Sequence, residues 1–454
     1  MKTFEPSRLR QQLKIEGGAG EKESSRGLVR TIGRWSLTAL MVNSIIGGGI
    51  FGLPSVLAGQ LGALSPLAFI GAGVCMLMVA GCVAEVSSRY DETGGLYLYA
   101  RDAFGSFTGL LVGWLMWLTR VAAPAAVADL FCSYAAQFFP ALGTRTGQLA
   151  VLIALVGQLS LFNLIGVKTG KNLSNFFTAV KVTLLLAFIA AGLLALLLRP
   201  DVRVPQSWPQ APAKSWFEAL VLLVYAYGGF EGALFVGGET TDPKRDTPRA
   251  LLLALAIVCL IYAAVQYVTV ATLPDAASSV RPLSDAAQRF LGSTGASIVA
   301  LAALLSAYGY LSANLLHSPR ILFALGEHGD LPGLLSAIHP RYRTPYVSIL
   351  LYAVLVFAFA ALGNFRWNAT LSAVSRLVVY GAMALAVPVL RNRRDGRTQF
   401  LLPFPYVFAG FGVVFSLVLL TRMGRAEFVV VGSTCAIAGL NWLVVRARLT
   451  QHKK

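Results

Sequence analysis

Long apolar blocks, each closed by a short polar cluster, set the character of this chain from residue 35 onward. A block of about 20 such residues is what an α-helix needs to cross a bilayer. Cutting the sequence on that rule predicts twelve spans, near residues 35–57, 64–84, 105–139, 148–167, 173–198, 216–238, 249–273, 295–316, 345–363, 367–390, 401–421 and 426–445. The third is the longest, at about 35 residues, which implies strong tilt or projection beyond the hydrocarbon. The expected fold class is an all-α polytopic membrane protein with almost nothing left for a soluble domain.

Two spans depart from the pattern. The first contains NSIIGGGIFGLP, Asn43 to Pro54, with three consecutive glycines in an apolar run. Each glycine in a helix interior costs roughly 1 kcal/mol relative to alanine, so Gly47, Gly48 and Gly49 mark an interruption. The sixth, WFEALVLLVYAYGGFEGALFVGGE, places Gly228, Gly229 and Gly232 around Glu231. Irregular backbone at membrane depth is tolerated only where protein or a watery cavity satisfies the freed groups.

One such span could reflect close helix packing through small residues. Two of them, five spans apart, say more, because an odd offset sends the second copy through the membrane in the opposite direction. Spans 1–5 and 6–10, residues 35–198 and 216–390, therefore read as an inverted-topology repeat, with residues 401–445 as two accessory helices. Unwinding leaves N–H donors at one half-helix end, suited to a carboxylate, and carbonyls at the other, suited to an ammonium group. A zwitterionic amino acid presents both.

Four ionisable side chains lie at depth: Arg120, Lys181, Glu231 and Arg376. Each costs at least about 2.5 kcal/mol at a helix centre on insertion scales, so each needs a role. Glu231, poorly solvated in the second interruption, is a candidate to take up and release a proton. Its other reading is a structural carboxylate bonded to free backbone N–H groups or to Arg120. Lys181 reads either as a cation standing in for a metal ion between helices or as a side chain snorkelling to the interface. Arg376 reads as a structural cation on backbone carbonyls. Arg120, beside Thr119, cannot lose its proton and must find an acceptor, either a substrate or Glu231.

Composition sharpens this reading. Of 454 residues 56% are apolar and only 13% charged, and the net charge is +17. That charge could suggest nucleic acid, but its placement follows topology: 26 of the 38 lysines and arginines fall on the side that holds both termini, nine on the other, and three within spans. The positive-inside rule puts both termini in the cytoplasm. Nucleic-acid binding is excluded, since no basic run is interleaved with aromatics in a foldable soluble segment.

The cysteines Cys75, Cys82, Cys132, Cys259 and Cys435 all lie within apolar spans and read as small core residues. His317, His328, His339 and His452 have no metal-ligand spacing. No catalytic triad or phosphate-binding loop appears, so neither an enzyme nor a cofactor is expected. Asn368-Ala369-Thr370 fits a glycosylation acceptor but lies against a span. Residues 1–33 and 447–454 read as cytoplasmic tails, the first disordered, able to touch anionic lipid and unlike a cleaved signal peptide. No obligate protein partner is implied.

Three stretches carry a resemblance: NSIIGGGIFGLP, the run GGFEGALFVGGETTDPKRDTPRA from Gly228, and SPRILFALGEHGDLP after the eighth span. They resemble the amino acid/polyamine/organocation (APC) superfamily of permeases over nearly the whole chain, 34–446, including NLIGVKTG at the end of the fourth span. The resemblance implies a leucine-transporter-type fold of two inverted five-helix repeats plus two helices, working by alternating access. It implies that amides of Gly47, Gly48 and Gly49 hold a substrate carboxylate, that carbonyls at Ile45, Tyr225 and Gly228 take the ammonium group, and that Tyr225 and Phe230 are gate candidates. It also implies proton sensing at Glu231, and at Lys181 a cation where sodium-coupled relatives bind a metal ion.

Thr119 and Arg120 depart from arginine/agmatine exchangers, which offer small residues there. A fixed guanidinium facing the substrate would repel a cationic side chain by about 4 kcal/mol at 4 Å and an effective dielectric near 20. The expectation is proton-coupled uptake of neutral amino acids. An exchanger of amino acids or amines, cationic ones included, is the alternative, and a non-transporting amino-acid sensor a distant one.

Overall fold

The structure, a computed structural model, describes residues 32–90, 95–166, 171–205, 211–232, 234, 240–327, 331–393 and 399–451. The expected N-terminal tail, His328 and His452, and part of the stretch after Glu231 lie outside the described residues. Those described form fourteen α-helices and no strand, with one parallel bridge between Ile32 and Thr240. The helices are α1 (Arg34–Ile45), α2 (Gly49–Leu61), α3 (Ser65–Ser87), α4 (Gly95–Phe104), α5 (Ser106–Ala135), α6 (Arg145–Leu164) and α7 (Lys171–Leu198). They continue with α8 (Ala213–Tyr227), α9 (Pro243–Thr272), α10 (Pro282–Glu327), α11 (Tyr346–Leu362), α12 (Phe365–Arg391), α13 (Pro405–Leu420) and α14 (Arg425–Gln451).

Eight segments among the described residues are long and apolar enough to cross a membrane, and α11 and α13 are shorter apolar helices. Part of the difference from the twelve expected spans comes from the two interruptions. Helices α1 and α8 have 12 and 15 residues because each stops at its glycine cluster. At 1.5 Å per residue they reach about 18 and 22 Å, short of a hydrocarbon core about 30 Å thick.

Around these short helices the long ones pack in a defined order. Helix α9 lies against α3 and α1, α10 against α5 and α7, α12 against α5, α8 and α13, and α2 against α8. Prolines inside two of the long helices remove a backbone donor each, and a side chain from a neighbouring helix serves each freed carbonyl. Pro124 frees the carbonyl of Arg120, which accepts from the Tyr352 hydroxyl at 2.5 Å. Pro319 frees that of Leu315, which accepts from the Asn163 amide at 2.6 Å. Both bonds tie α5 and α10 to α11 and α6.

A second device occurs twice. Helix α4 ends at Gly105, with φ +94°, and α5 follows; within α10, Gly292 at φ +73° separates a short leading helix from the long one. Such φ values favour glycine, which has no Cβ to clash. The two joints read Phe104-Gly105-Ser106 and Leu291-Gly292-Ser293, so a similar short helix precedes both the third and the eighth predicted spans.

At the strongly basic end, the lead into α1 is tied to the approach to α9. The Thr241 N–H donates to the Ile32 carbonyl at 3.0 Å, and Arg34 pairs with Asp246 at 3.4 Å. Nearby, Glu85 at the end of α3 accepts two bonds from Arg391, at 2.5 and 2.8 Å, and one from the Leu402 N–H at 2.9 Å. The end of α12 is thereby fixed to α3.

Candidate functional site

The first interruption spans Ile46 to Gly48. Helix α1 stops when Ile46 turns to ψ +82°, and α2 restarts at Gly49. Carbonyls that a continuous helix would have used internally are taken up by side chains. Lys181, 6% exposed on α7, donates from Nζ to the carbonyls of Asn43 at 2.6 Å and Ile46 at 2.5 Å. The Tyr262 hydroxyl of α9 reaches the Ile45 carbonyl at 3.2 Å, which also accepts from the Gly47 N–H at 2.7 Å. The C-terminal end of a half-helix carries partial negative charge, so an ammonium group there is favoured twice, by its hydrogen bonds and by its field.

The second interruption follows α8. Gly228 is extended, Gly229 has φ +112°, and one tight turn carries Phe230 to Gly232. Here the freed backbone group is a donor and its partner an anion: the Gly229 N–H donates to Glu231 Oε2 at 2.6 Å. The other carboxylate oxygen accepts from Arg376 Nε at 3.0 Å and from the Tyr380 hydroxyl. Arg376 also donates to the Ser372 hydroxyl at 2.5 Å. Glu231 and Arg376 are both buried, so each depends on the other for compensation of its lost hydration.

The two interruptions touch. The Ser44 hydroxyl donates to the Gly229 carbonyl at 2.5 Å, and a Cβ on Gly229 would stand 2.4 Å from the Ser44 carbonyl oxygen. Only glycine fits that approach at that φ.

Each residue singled out from the sequence can now be placed. A Cβ at Gly47 would lie 3.4 Å from the Tyr310 ring, at Gly48 2.8 Å from Val127, and at Gly49 2.9 Å from Tyr225. Tyr225 meets Phe365 edge-on with ring centroids 6.3 Å apart, and Phe230 stacks on Tyr380 at 5.6 Å. Gly228 lies against the Arg376 guanidinium, whose Nε would be 2.4 Å from an added Cβ. Thr119 is buried and donates to the Leu115 carbonyl of its own helix at 3.1 Å. Arg120 lies within electrostatic reach of Tyr352, Glu231, Tyr310 and Arg376. Asn368 of the candidate acceptor tripeptide is fully buried, out of reach of a glycosylating enzyme.

Two readings need correction. Of the partners the sequence left open for Glu231, a backbone N–H is present at Gly229, and the ion pair is made with Arg376 where Arg120 was the cation offered. Arg376, in turn, donates to the Glu231 carboxylate and the Ser372 hydroxyl rather than to backbone carbonyls among the described residues. The signal was present: Asn368, Ser372, Arg376 and Tyr380 recur every four residues and make a buried polar stripe along α12. Tyr262 and Tyr310 were not singled out, since a tyrosine in an apolar span gives no sign of which neighbour it faces.

Two interrupted helices that meet deep in an apolar bundle, one capped by an ammonium group and the other by a carboxylate, define a membrane protein built around exposed backbone ends, as transporters are. The chain belongs to the amino acid permease family, whose sequence model matches residues 32–437. It is an integral membrane transport protein and not an enzyme.

It is 26% identical to a branched-chain amino acid permease of Bacillus subtilis (strain 168), over 91% of this chain and 92% of that protein. Similarity to a methylthioribose transporter of the same organism is 28% over 86% of this chain and 88% of the relative. A serine/threonine exchanger, also from Bacillus subtilis, is 28% identical over 86% and 91%.

Proposed function

We propose that this chain is a secondary active transporter that takes up neutral amino acids together with protons, by alternating access, across a cell membrane with both termini in the cytoplasm. The observation that carries the reading is the contact of the two interruptions through Ser44 and Gly229, with oppositely charged side chains stabilising their backbone ends. An amino acid carries the same two charges as Lys181 and Glu231 on one small molecule. Its carboxylate would lie on the amides of Gly47 to Gly49, and its ammonium group beside the carbonyls of Ile45, Tyr225 and Gly228. Tyr225 and Phe230 would close over it, and Thr119 and Arg120 would line the α5 side.

The paired glycine joints at Gly105 and Gly292 support two repeats of five spans, with α13 and α14 as accessory helices in a twelve-span, leucine-transporter-type arrangement. Lys181 on the carbonyls of α1 supports protons over sodium as the driving ion, because an ammonium group already fills the coordination that a metal ion would need. Glu231, bonded to the second interruption, is the second coupling residue in this reading. Neutral substrates are favoured by Arg120 near the ring that faces Gly47, and by relatives named for branched-chain amino acids and for serine and threonine.

The test is radiolabelled uptake into proteoliposomes with and without a pH gradient, with and without a sodium gradient, and with and without internal substrate. Accumulation driven by the pH gradient alone is expected. Equal drive by sodium at fixed pH would remove the proton assignment. One relative is named an exchanger, so obligate exchange is the second reading. It predicts no accumulation unless substrate is also loaded inside.

A further inference from the structure

Glu231 is not the only acid held among these helices. Asp129 on α5, nine residues beyond Arg120, is partly buried, and no ion pair involves it among the described residues. Its side-chain partner is an amide: Asn368 Nδ2, at the head of the α12 stripe, donates to Asp129 Oδ2 at 3.3 Å. Asn368 is fully buried, and its second amide hydrogen goes to the Phe359 carbonyl at 3.0 Å. Its own carbonyl oxygen, Oδ1, is buried with no hydrogen-bond partner.

That arrangement distinguishes two states of the carboxyl. An ionised carboxylate offers only acceptors, so it can take the amide N–H but leaves the amide oxygen unmatched. A neutral carboxylic acid has one acceptor and one O–H donor, the complement of a primary amide edge. Rotated to face Oδ1, its hydroxyl would supply the missing donor and close a ring of two hydrogen bonds. A buried acceptor without a donor is costly, so adding a proton at Asp129 relieves a defect in Asn368.

The surroundings fit a site that exchanges protons with water. Asp129 itself keeps part of its surface exposed, and an open cavity of about 310 Å³ lies at the same end of α12, lined in part by Glu218, Asn364, Trp367 and Thr370 and by no residue of α5. The ionisable groups facing Asp129 are few. Arg145 at the start of α6 contributes an electrostatic interaction while its guanidinium donates to the Ala361 carbonyl. The Tyr225 phenol of α8 and Cys132, one turn along α5, complete the set among the described residues. Below Asn368 the stripe continues through Ser372 and Arg376 to Glu231.

We infer that Asp129 is the outward-facing proton-binding site of this transporter, with Asn368 as the group that selects its protonated form, and that α12 relays the change to the Glu231–Arg376 pair. The inference rests on the proton-coupled reading above. Protonation is the whole of the chemistry: one proton from the outer solution joins Asp129 Oδ, and the same proton leaves when the site turns inward.

The test combines transport with spectroscopy in proteoliposomes. Asp129→Asn is expected to lower pH-gradient-driven accumulation by about tenfold, within the 5- to 150-fold range typical of coupled sites. Asp129→Glu should retain the gradient response with a displaced pH profile. Asp201→Asn, an exposed carboxyl outside that cavity that pairs only with Arg199 among the described residues, serves as the control with an unchanged response. Infrared difference spectra of the wild-type protein, which need no transport, should show a protonated-carboxyl band that titrates with pH and moves in Asn368→Leu.

Gradient-driven accumulation that survives in Asp129→Asn, or no such band in the wild type, overturns the assignment of Asp129. Wild-type uptake indifferent to a pH gradient overturns the proton-coupled reading itself, and the role of Asp129 with it. A misfolded Asp129→Asn leaves the wild-type infrared result and Asp129→Glu to decide.

Discussion

The two interruptions solve one problem with opposite charges. In the first, carbonyls at the end of α1 accept from the Lys181 ammonium group, which comes from a distant helix. In the second, an amide of the break itself donates to Glu231, which comes from the same turn. The anion is local and the cation remote, and that asymmetry has consequences. Glu231 is carried by the break itself, and its neutralisation is delegated to Arg376 on α12. Lys181 can withdraw from α1 by a side-chain movement, or by a shift of α7 relative to α1. The first interruption is thus held by a side chain from another helix, and the second, with its anion built into the turn, is the fixed half of the site.

The sharpest way to break this contrast is to strip the fixed half of its counter-charge. Arg376→Ala leaves a buried carboxylate unpaired and should cost about 3–5 kcal/mol. The expected result is little folded protein and a large fall in the thermal midpoint in detergent. Removing both charges in Glu231→Gln/Arg376→Gln should recover most of that stability. If the double variant is no better than the single one, Arg376 is not there for Glu231.

Next in size is Lys181→Ala, which removes charge-assisted hydrogen bonds worth about 1.5–3 kcal/mol each from two carbonyls that a neighbouring water can partly replace. Uptake should be lost while a folded protein remains, as judged by gel filtration. Wild-type uptake in this variant would show that the first interruption does not depend on its cation.

Gly48→Ala tests the packing of the same segment. Its new methyl group would meet Val127 at 2.8 Å, so the defect is a clash with α5 of about 1–3 kcal/mol and not an obstruction of open space. Val127→Ala in the same protein should restore much of the binding measured by substrate-induced thermal shift, and failure to do so would place the damage in the backbone amides. The smallest effect is expected of Tyr380→Phe, which removes one hydroxyl from Glu231 and should lower stability by about 1 kcal/mol. A loss as large as that of Arg376→Ala would make the tyrosine, and not the arginine, the main partner of the carboxylate.

What the sequence made legible follows the same division between local and remote. Both interruptions were readable because glycine clusters act on their own helices. Gly229 at φ +112° and the stop of α1 at Ile45 need nothing else to be understood. The partners were less so. Arg120 was the cation offered for Glu231 and Arg376 was placed on backbone carbonyls, since nothing along the chain says that α12 packs on α8 near the height of Glu231. Lys181 left two readings open for the same reason, since the distance from α7 to the carbonyls of α1 is a property of the bundle. The carbonyls freed by Pro124 and Pro319 could have been anticipated, but not that Tyr352 and Asn163 would serve them.

Asp129 and Asn368 were hidden differently. Asn368 was noticed only as part of a glycosylation tripeptide, and Asp129 sits near the end of a long span where a carboxylate looks like an interfacial residue. Their significance lies in one amide oxygen without a donor, which no pattern of residue types reveals.

The four-residue spacing of Asn368, Ser372, Arg376 and Tyr380 has a geometric consequence. An α-helix completes a turn in 3.6 residues, so each step of four overshoots by about 40°, and the three steps together wind about 120° around α12. The polar residues therefore form a screw thread rather than a straight edge. Its upper end engages α5 through Asp129 and its middle engages the break after α8 through Glu231. A rotation of α12 about its own axis, with no tilt at all, would carry both contacts out of register together, so the helix can act as a camshaft between helices that need not touch each other.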